Sequence, residues 1–280
     1  MRRAWIALLV PLVGCAPPPT ADPEFDDAAS FLFREFETEE PARLAFVMRA
    51  LDEEVRATLD LGAEPSIDRS TTPGPLTVAD LTGIDTRPDG DPEMALSIAV
   101  ARQSMYAPAE HVAIQLLTDH TDVEPNSPTL YDRTFLDGTE GCFPDRSCST
   151  LRTMNDLIRE NLVLQIPHQL DKSFRWIDLA LPDPSTVPEG EPVVNPREPE
   201  WGLLARSWVP AEAVGESGQN TLHFQYSFEV WIPNDDGALR TMSLWFSISG
   251  TGLTDELQIG TARTGINDIF ELADDWLGQQ

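Results

Sequence analysis

One lysine, three tyrosines, three cysteines and four histidines in 280 residues leave this chain poor in several side chains that carry chemistry. The lysine is Lys172, and every other base is an arginine. Acids number 47, and the formal net charge is −28. Phosphate binding needs clustered Lys and Arg, so this surface repels nucleic acid and anionic headgroups, and nucleic-acid partners are excluded. Acid excess with almost no lysine fits a saline habitat and, equally, a GC-rich genome. The local signatures of common enzymes are missing too. Gly215-Glu216-Ser217-Gly218 lacks the spacing of a Gly-x-Ser-x-Gly elbow. There is no glycine-rich phosphate loop and no His-Glu-x-x-His. His111 and His120 are too far apart for a shared metal on a short helix, and His223 falls on the polar side of its strand. Asp85, Asp89, Asp91 and Glu93 lack the order of a calcium loop. No catalytic residue, metal ligand or cofactor is therefore assigned, and nothing positive points to an enzyme. A hydrolase assembled from scattered residues stays open.

Long apolar runs are also absent, since none approaches the roughly 20 residues of a spanning helix. The longest, Ala4 to Val13, is broken by Pro11 and follows the basic Met1-Arg2-Arg3, as in an export signal. It ends in Leu12-Val13-Gly14-Cys15. Small residues just before a cysteine at this position resemble the lipobox of bacterial lipoproteins. That resemblance implies cleavage after residue 14, acylation of Cys15, and a soluble body tethered to a bacterial envelope membrane. Two or three acyl chains at about 0.8 kcal/mol per buried methylene give lasting attachment. By analogy with lipoprotein sorting, Ala16 in place of an aspartate favours the outer membrane.

With Cys15 acylated, Cys142 and Cys148 remain as an even pair in an oxidising compartment, flanked by Gly141 and Pro144. No further soft ligand lies close by, which speaks against a metal site. A disulfide across this short loop contributes about 2.4 kcal/mol in the chain-entropy account.

Five segments follow. Residues 1–14 read as the signal peptide and 15–23 as a lipidated, proline-rich tether. Residues 24–61 carry two helical stripes. Phe25, Ala28, Ala29, Leu32 and Phe36 form the first, with Pro23 at a first turn, and Leu44, Val47, Met48, Leu51 and Val55 form the second. Residues 62–93, rich in Pro, Asp, Thr and Gly, read as a connector. Residues 94–280 read as an α+β domain. In it, Leu96, Ile98 and Val100 alternate with small residues as in a strand, and Pro108 opens a helix through Leu117.

The clearest local signal runs from Leu222 to Ile232, where Leu222, Phe224, Tyr226, Phe228, Val230 and Ile232 alternate with more polar neighbours. Pro233-Asn234-Asp235-Asp236-Gly237 supplies turn chemistry, and Met242, Leu244, Phe246 and Ile248 resume the pattern. This predicts a long hairpin with one buried side. Ile266, Ile269, Phe270, Ala273, Trp276 and Leu277 make a continuous helical stripe, with Thr264 as a candidate cap. The hairpin face is the obvious surface for it to cover.

That order, together with Arg102 to Pro108, Phe174-Arg175-Trp176-Ile177, Arg206-Ser207-Trp208 and the closing stripe, is similar to the START-like (SRPBCC) helix-grip superfamily. The resemblance covers residues 94 to 278 and implies a bent antiparallel sheet packed on a C-terminal helix, and the two stripes ahead of it read as an N-terminal helical hairpin. It also implies an apolar small molecule or lipid held between sheet and helix. Phe224, Tyr226, Phe228, Phe246 and Phe270 would line that space; the other reading makes them plain core. The alternatives to a ligand binder are an envelope scaffold lipoprotein that docks a protein partner and a START-like cyclase or hydrolase.

Overall fold

The computed structural model describes residues 25–58, 69–160, 164–182 and 198–280. The signal, Cys15, the tether and most of the 182–200 loop lie outside the described residues. In chain order the elements are α1 (Phe25–Arg34), α2 (Pro41–Thr58), β1 (Arg69–Thr71), β2 (Leu96–Ser104) and α3 (Pro108–Gln115). Then come β3 (Tyr131–Phe135), β4 (Thr150–Glu160), β5 (Gln165–Asp178), β6 (Trp201–Trp208) and β7 (Ala213–Val214). The last three are β8 (Thr221–Asn234), β9 (Gly237–Ser249) and α4 (Asp255–Leu277).

One antiparallel sheet runs β1-β2-β9-β8-β6-β5-β4-β3, with β7 added beside β8. The first strand of the α+β unit, β2, thus closes against the last, β9, while the strands between follow one another outward. α3 and α4 pack on one face, called inner below, and α1 and α2 cover the other. This is the α+β helix-grip arrangement, preceded by a helical pair.

Local chemistry sets the boundaries. Pro41 opens α2, where its missing N–H costs nothing. The β8–β9 hairpin turns through Asp235-Asp236, with Asn234 Oδ1 accepting the Asp236 N–H at 3.0 Å. Gly237 has φ +128° and lies against the end of β2, where a Cβ would collide with the Ser104 carbonyl oxygen. Only glycine satisfies both conditions.

Three sequence expectations change. First, α4 begins about three turns early, capped by Thr254, whose Oγ1 accepts from the Leu257 amide. Thr264 sits mid-helix and bonds back to the Gly260 carbonyl. Second, Leu162, Leu164 and Ile166 and then Phe174 to Leu181 read from the sequence as an antiparallel pair, whereas residues 165–178 form one continuous strand bonded to β4 on one side and β6 on the other.

Third, the hairpin is buried on both sides. Leu222 pairs with Ile248 but Phe224 pairs with Ser247, so His223 is a β-bulge that inverts the alternation. Beyond it, Tyr226 opposes Trp245 and Phe228 opposes Ser243 on the outer face, while Gln225 opposes Phe246 and Ser227 opposes Leu244 on the inner face. Phe224, Tyr226 and Phe228 therefore pack under α1 and α2 together with Leu32, Phe33, Phe36 and Met48. Phe33 meets Tyr226 and Trp245 edge-on, with ring centroids 6.1 and 5.9 Å apart. Arginines fasten this layer: buried Arg206 reaches Glu37 at 3.0 Å with its guanidinium 4.9 Å from the Phe36 ring centroid, and Arg34 meets Asp80 at 2.8 Å.

Candidate functional site

The inner face divides into three zones, built by residues that alternate inward along the strands.

At the α3 end it is solid. Phe143, Leu151, Phe174, Trp176, Leu203 and Trp231 form one buried cluster beneath Val112 of α3. Phe143 stacks on Trp176 at 5.6 Å, and the Trp176 indole N–H donates to the Phe143 carbonyl at 2.8 Å. The Cys142–Cys148 disulfide anchors that plug. Its position next to Phe143 gives the clip a packing role.

The middle zone is polar. Lys172 Nζ lies 2.5 Å from Glu229 Oε1, and both side chains are buried. Ser207 and Ser227 share a hydrogen bond beside them. Arg133 donates to Asn155 Oδ1 at 2.7 Å and to the Gln115 carbonyl at 2.6 Å, which ties β3 to β4 and α3. Burial pushes the Glu124 carboxyl up, against the pull of Lys172 and Arg159. His120 is held neutral: burial, with Arg133 and Lys172 nearby, lowers its pKa to about 2. A chamber lined only by apolar groups is thus not what fills the centre of the sheet.

α4 is fixed at its C-terminal half by charge. Ser104 Oγ donates to Asp274 Oδ1 at 2.7 Å, and His111 Nε2 lies 3.0 Å from the same hydroxyl. Arg240 sits 3.8 Å from Asp274, with its guanidinium 4.2 Å from the Phe270 ring centroid. Burial lowers the Arg240 pKa to about 10 and, with Arg240 nearby, that of His111 to about 2.

Toward its N-terminal half α4 meets the ends of β8 and β9, and there a cleft of about 100 Å³ opens between helix and sheet. Its walls are apolar: Leu244, Phe246 and Ile248 from β9, Leu222 from β8, and Ile266 and Ile269 from α4. A few polar groups join them. Gln225 rises from the floor, Arg159 comes from the end of β4, and Asn126 bonds the Gly265 carbonyl at 3.3 Å. Gly265 permits that approach, because a Cβ would sit 2.8 Å from the Asn126 amide nitrogen. Arg159 Nε and Gln258 Oε1 are buried without a hydrogen-bond partner among the described residues.

Of the expected lining residues, the structure brings only Phe246 into the cleft. Phe270 is on the same face but belongs to the packed core beyond it, where it is 1 % exposed. Phe224, Tyr226 and Phe228 are on the opposite face. Reading one unbroken period of two through His223 is what put them together. Leu222, Leu244 and Ile248 were legible as inward apolar residues; Asn126, Arg159 and Gln258 carry no sequence signal that marks them. Among the described residues no cluster of three or more metal-ligating side chains occurs, and no helix is long and apolar enough to cross a membrane.

No protein-family model matches the chain, and no curated protein matches it. Among solved structures it is similar to Ara h 8.0201, with TM-score 0.36, 12 % identity, and coverage of 66 % of this chain and 99 % of that one. It is similar also to TTHA0849 from Thermus thermophilus, with TM-score 0.36, 11 % identity, and coverage of 65 % and 96 %. A third is the human StarD13 (DLC2) lipid transfer and protein localization domain, with TM-score 0.39, 9 % identity, and coverage of 81 % and 94 %. Agreement at this level is partial, and the helix-grip description stands on the strand order and helix placement of this chain itself.

Proposed function

We propose that this protein is a lipid-anchored binder of an apolar small molecule, held in the cleft between α4 and the β8–β9 hairpin. The observation that carries the reading is the cleft: about 100 Å³, mostly apolar walls, and a few polar groups among them. Ligand sites combine a mostly apolar concavity with a few polar groups that fix orientation. A closed apolar cavity of about 150 Å³ holds the six carbons of benzene, so the enclosed part of a ligand in this cleft of about 100 Å³ is about four carbons. The remainder lies along the open side. Gln225 and Arg159 are placed to meet a polar end.

The anchor belongs to the same proposal. Cys15 carries the acyl chains, the tether spans 15–23, and the body is held at the bacterial envelope, on the outer membrane. An envelope protein partner would then act as donor or acceptor of the ligand.

The test uses protein with Cys15→Ser, purified without detergent, extracted with organic solvent and examined by mass spectrometry. A single apolar compound near one equivalent, absent from an Ala262→Trp variant of unchanged circular dichroism, is the expected result. No extractable compound, or equal amounts in both proteins, contradicts the cleft as the binding site. Intact-mass measurement of membrane-bound protein checks the anchor: an unmodified thiol at Cys15 removes it.

A further inference from the structure

At the mouth end of the hairpin, three side chains far apart in sequence meet in a fixed order. The bulge at His223 turns its ring out of the strand's alternation and sets it between Glu212 and Ser249. Nδ1 lies 2.7 Å from Glu212 Oε2, and Nε2 lies 2.8 Å from Ser249 Oγ. With the carboxylate on Nδ1, the ring proton resides there, and the Nε2 lone pair accepts the Ser249 hydroxyl. That is hydroxyl, imidazole and carboxylate in the relation of nucleophile, base and orienting group. β-bulges re-aim side chains, and this one directs His223 to Glu212 and Ser249.

The surroundings permit chemistry. The His223 and Glu212 side chains are 38 % and 54 % exposed, and Ser249 is exposed, so a substrate reaches the hydroxyl without any opening motion. Ser249 is followed by Gly250-Thr251-Gly252, with φ +77° at Gly250 and +70° at Gly252. A Cβ at Gly250 would overlap the Gln219 carbonyl oxygen, so the turn after the serine requires glycine. The amides of Gly250, Thr251 and Gly252 donate to no acceptor among the described residues. Backbone donors next to a nucleophile are what an oxyanion needs. The same loop borders the cleft through Thr251 and Leu253. Ser249 itself points to the opposite side of the sheet from Ile248, so the relay lies at the rim and not inside the cleft.

We infer that Glu212, His223 and Ser249 form an acyl-transfer site that hydrolyses small carboxylic esters. Ser249 Oγ bonds to the ester carbonyl carbon while its proton passes to His223 Nε2. The carbon–oxygen bond to the alcohol breaks, and the alcohol leaves with that proton. Water then attacks the acyl-serine carbonyl, giving a proton to Nε2. The bond to Ser249 Oγ breaks, the proton returns to the serine, and the free acid departs. No oxidant or metal enters the balance. Ser249 and His223 are the catalytic residues, and Glu212 is a positioning residue that holds the imidazole tautomer. The site stands independently of the cleft's ligand.

The test treats the full chain with diisopropyl fluorophosphate and, separately, with p-nitrophenyl acetate. The expected result is one covalent adduct per chain, mapped to the peptide holding Ser249, and ester turnover that falls at least tenfold in Ser249→Ala and in His223→Gln. All three positions are at the surface, so these variants keep the wild-type circular dichroism spectrum. Glu212→Gln lowers kcat at least tenfold with KM unchanged, a split that a merely structural role would not produce. Absence of an adduct, an adduct mapped to another residue, or wild-type turnover in Ser249→Ala overturns the assignment.

Discussion

Lys172 and Glu229 face each other across β6, joined at 2.5 Å in the buried middle of the sheet. The one lysine of a chain with net charge −28 is therefore an interior residue, and the solvent-exposed bases are arginines. The pair separates the solid zone under α3 from the cleft under α4.

Removing one partner leaves an uncompensated buried charge, which costs about 3–5 kcal/mol. Lys172→Met is expected to lower the stability measured by urea unfolding by that amount. Lys172→Met combined with Glu229→Leu recovers most of it, because two apolar side chains of similar volume remove both desolvation costs. A double variant as unstable as the sum of the singles would show that the two residues act separately.

The disulfide is expected to matter in proportion to the loop it closes. Replacing Cys142 and Cys148 together by serine costs about 2.4 kcal/mol in the chain-entropy account. Because Phe143 sits in the core beside Trp176, reduction should also change the near-ultraviolet signal of the indole. Thermal unfolding with and without reductant measures both.

Acid should destabilise the fold well above the carboxylate range. His111 and His120 have pKa values lowered to about 2 and His168 to about 4, in each case first by burial. An unfolded imidazole titrates near 6.5, so below that value the unfolded state binds more protons and stability falls as pH falls. The penalty is absent above about pH 7 and grows by about 1.6 kcal/mol per imidazole between pH 6.5 and 5. The carboxyls of Glu124 and Asp274, raised first by burial, act in the opposite sense, because the folded state takes up their protons before the unfolded state does. Urea unfolding at pH 6.5 and 5 measures the loss, and His168→Gln should reduce it by one imidazole's share.

The two faces of the hairpin should separate in mutagenesis. Phe33 is fully buried on the outer face, and Phe33→Ala is expected to cost about 3–5 kcal/mol while leaving ligand affinity intact. Phe246→Ala, in the cleft wall, should alter affinity as well as stability. Equal effects of the two on binding would mean that the faces are not independent.

Much of this was legible from residues whose pattern is local. Ile266, Ile269 and Phe270 face the sheet as their spacing requires, Ala273 on the same stripe packs against Ile114 of α3 and Val123, and the Asn234–Gly237 turn is where its chemistry puts it. The start of α4 was hidden because Asp255 to Gly260 carries few apolar residues and a glycine; only tertiary contact and the Thr254 cap hold those turns helical. The bulge at His223 was hidden because a single inserted residue leaves no mark on an alternating string, yet it moves three aromatics to the far side. The Glu212–His223–Ser249 relay was hidden for the reason most such sites are: its members meet only after β7, β8 and β9 pair.

The cleft itself is tested most directly by calorimetric titration of detergent-free protein with ethanol, 1-propanol, 1-butanol, 1-pentanol and 1-hexanol. Burial of each added methylene is worth about 0.8 kcal/mol, so affinity should rise about fourfold per carbon up to about four carbons and then level off. The heat-capacity change on binding should be negative, and Ala262→Trp should abolish the series. Affinity that shows no dependence on chain length, or is unchanged in that variant, would contradict an apolar ligand site beneath α4.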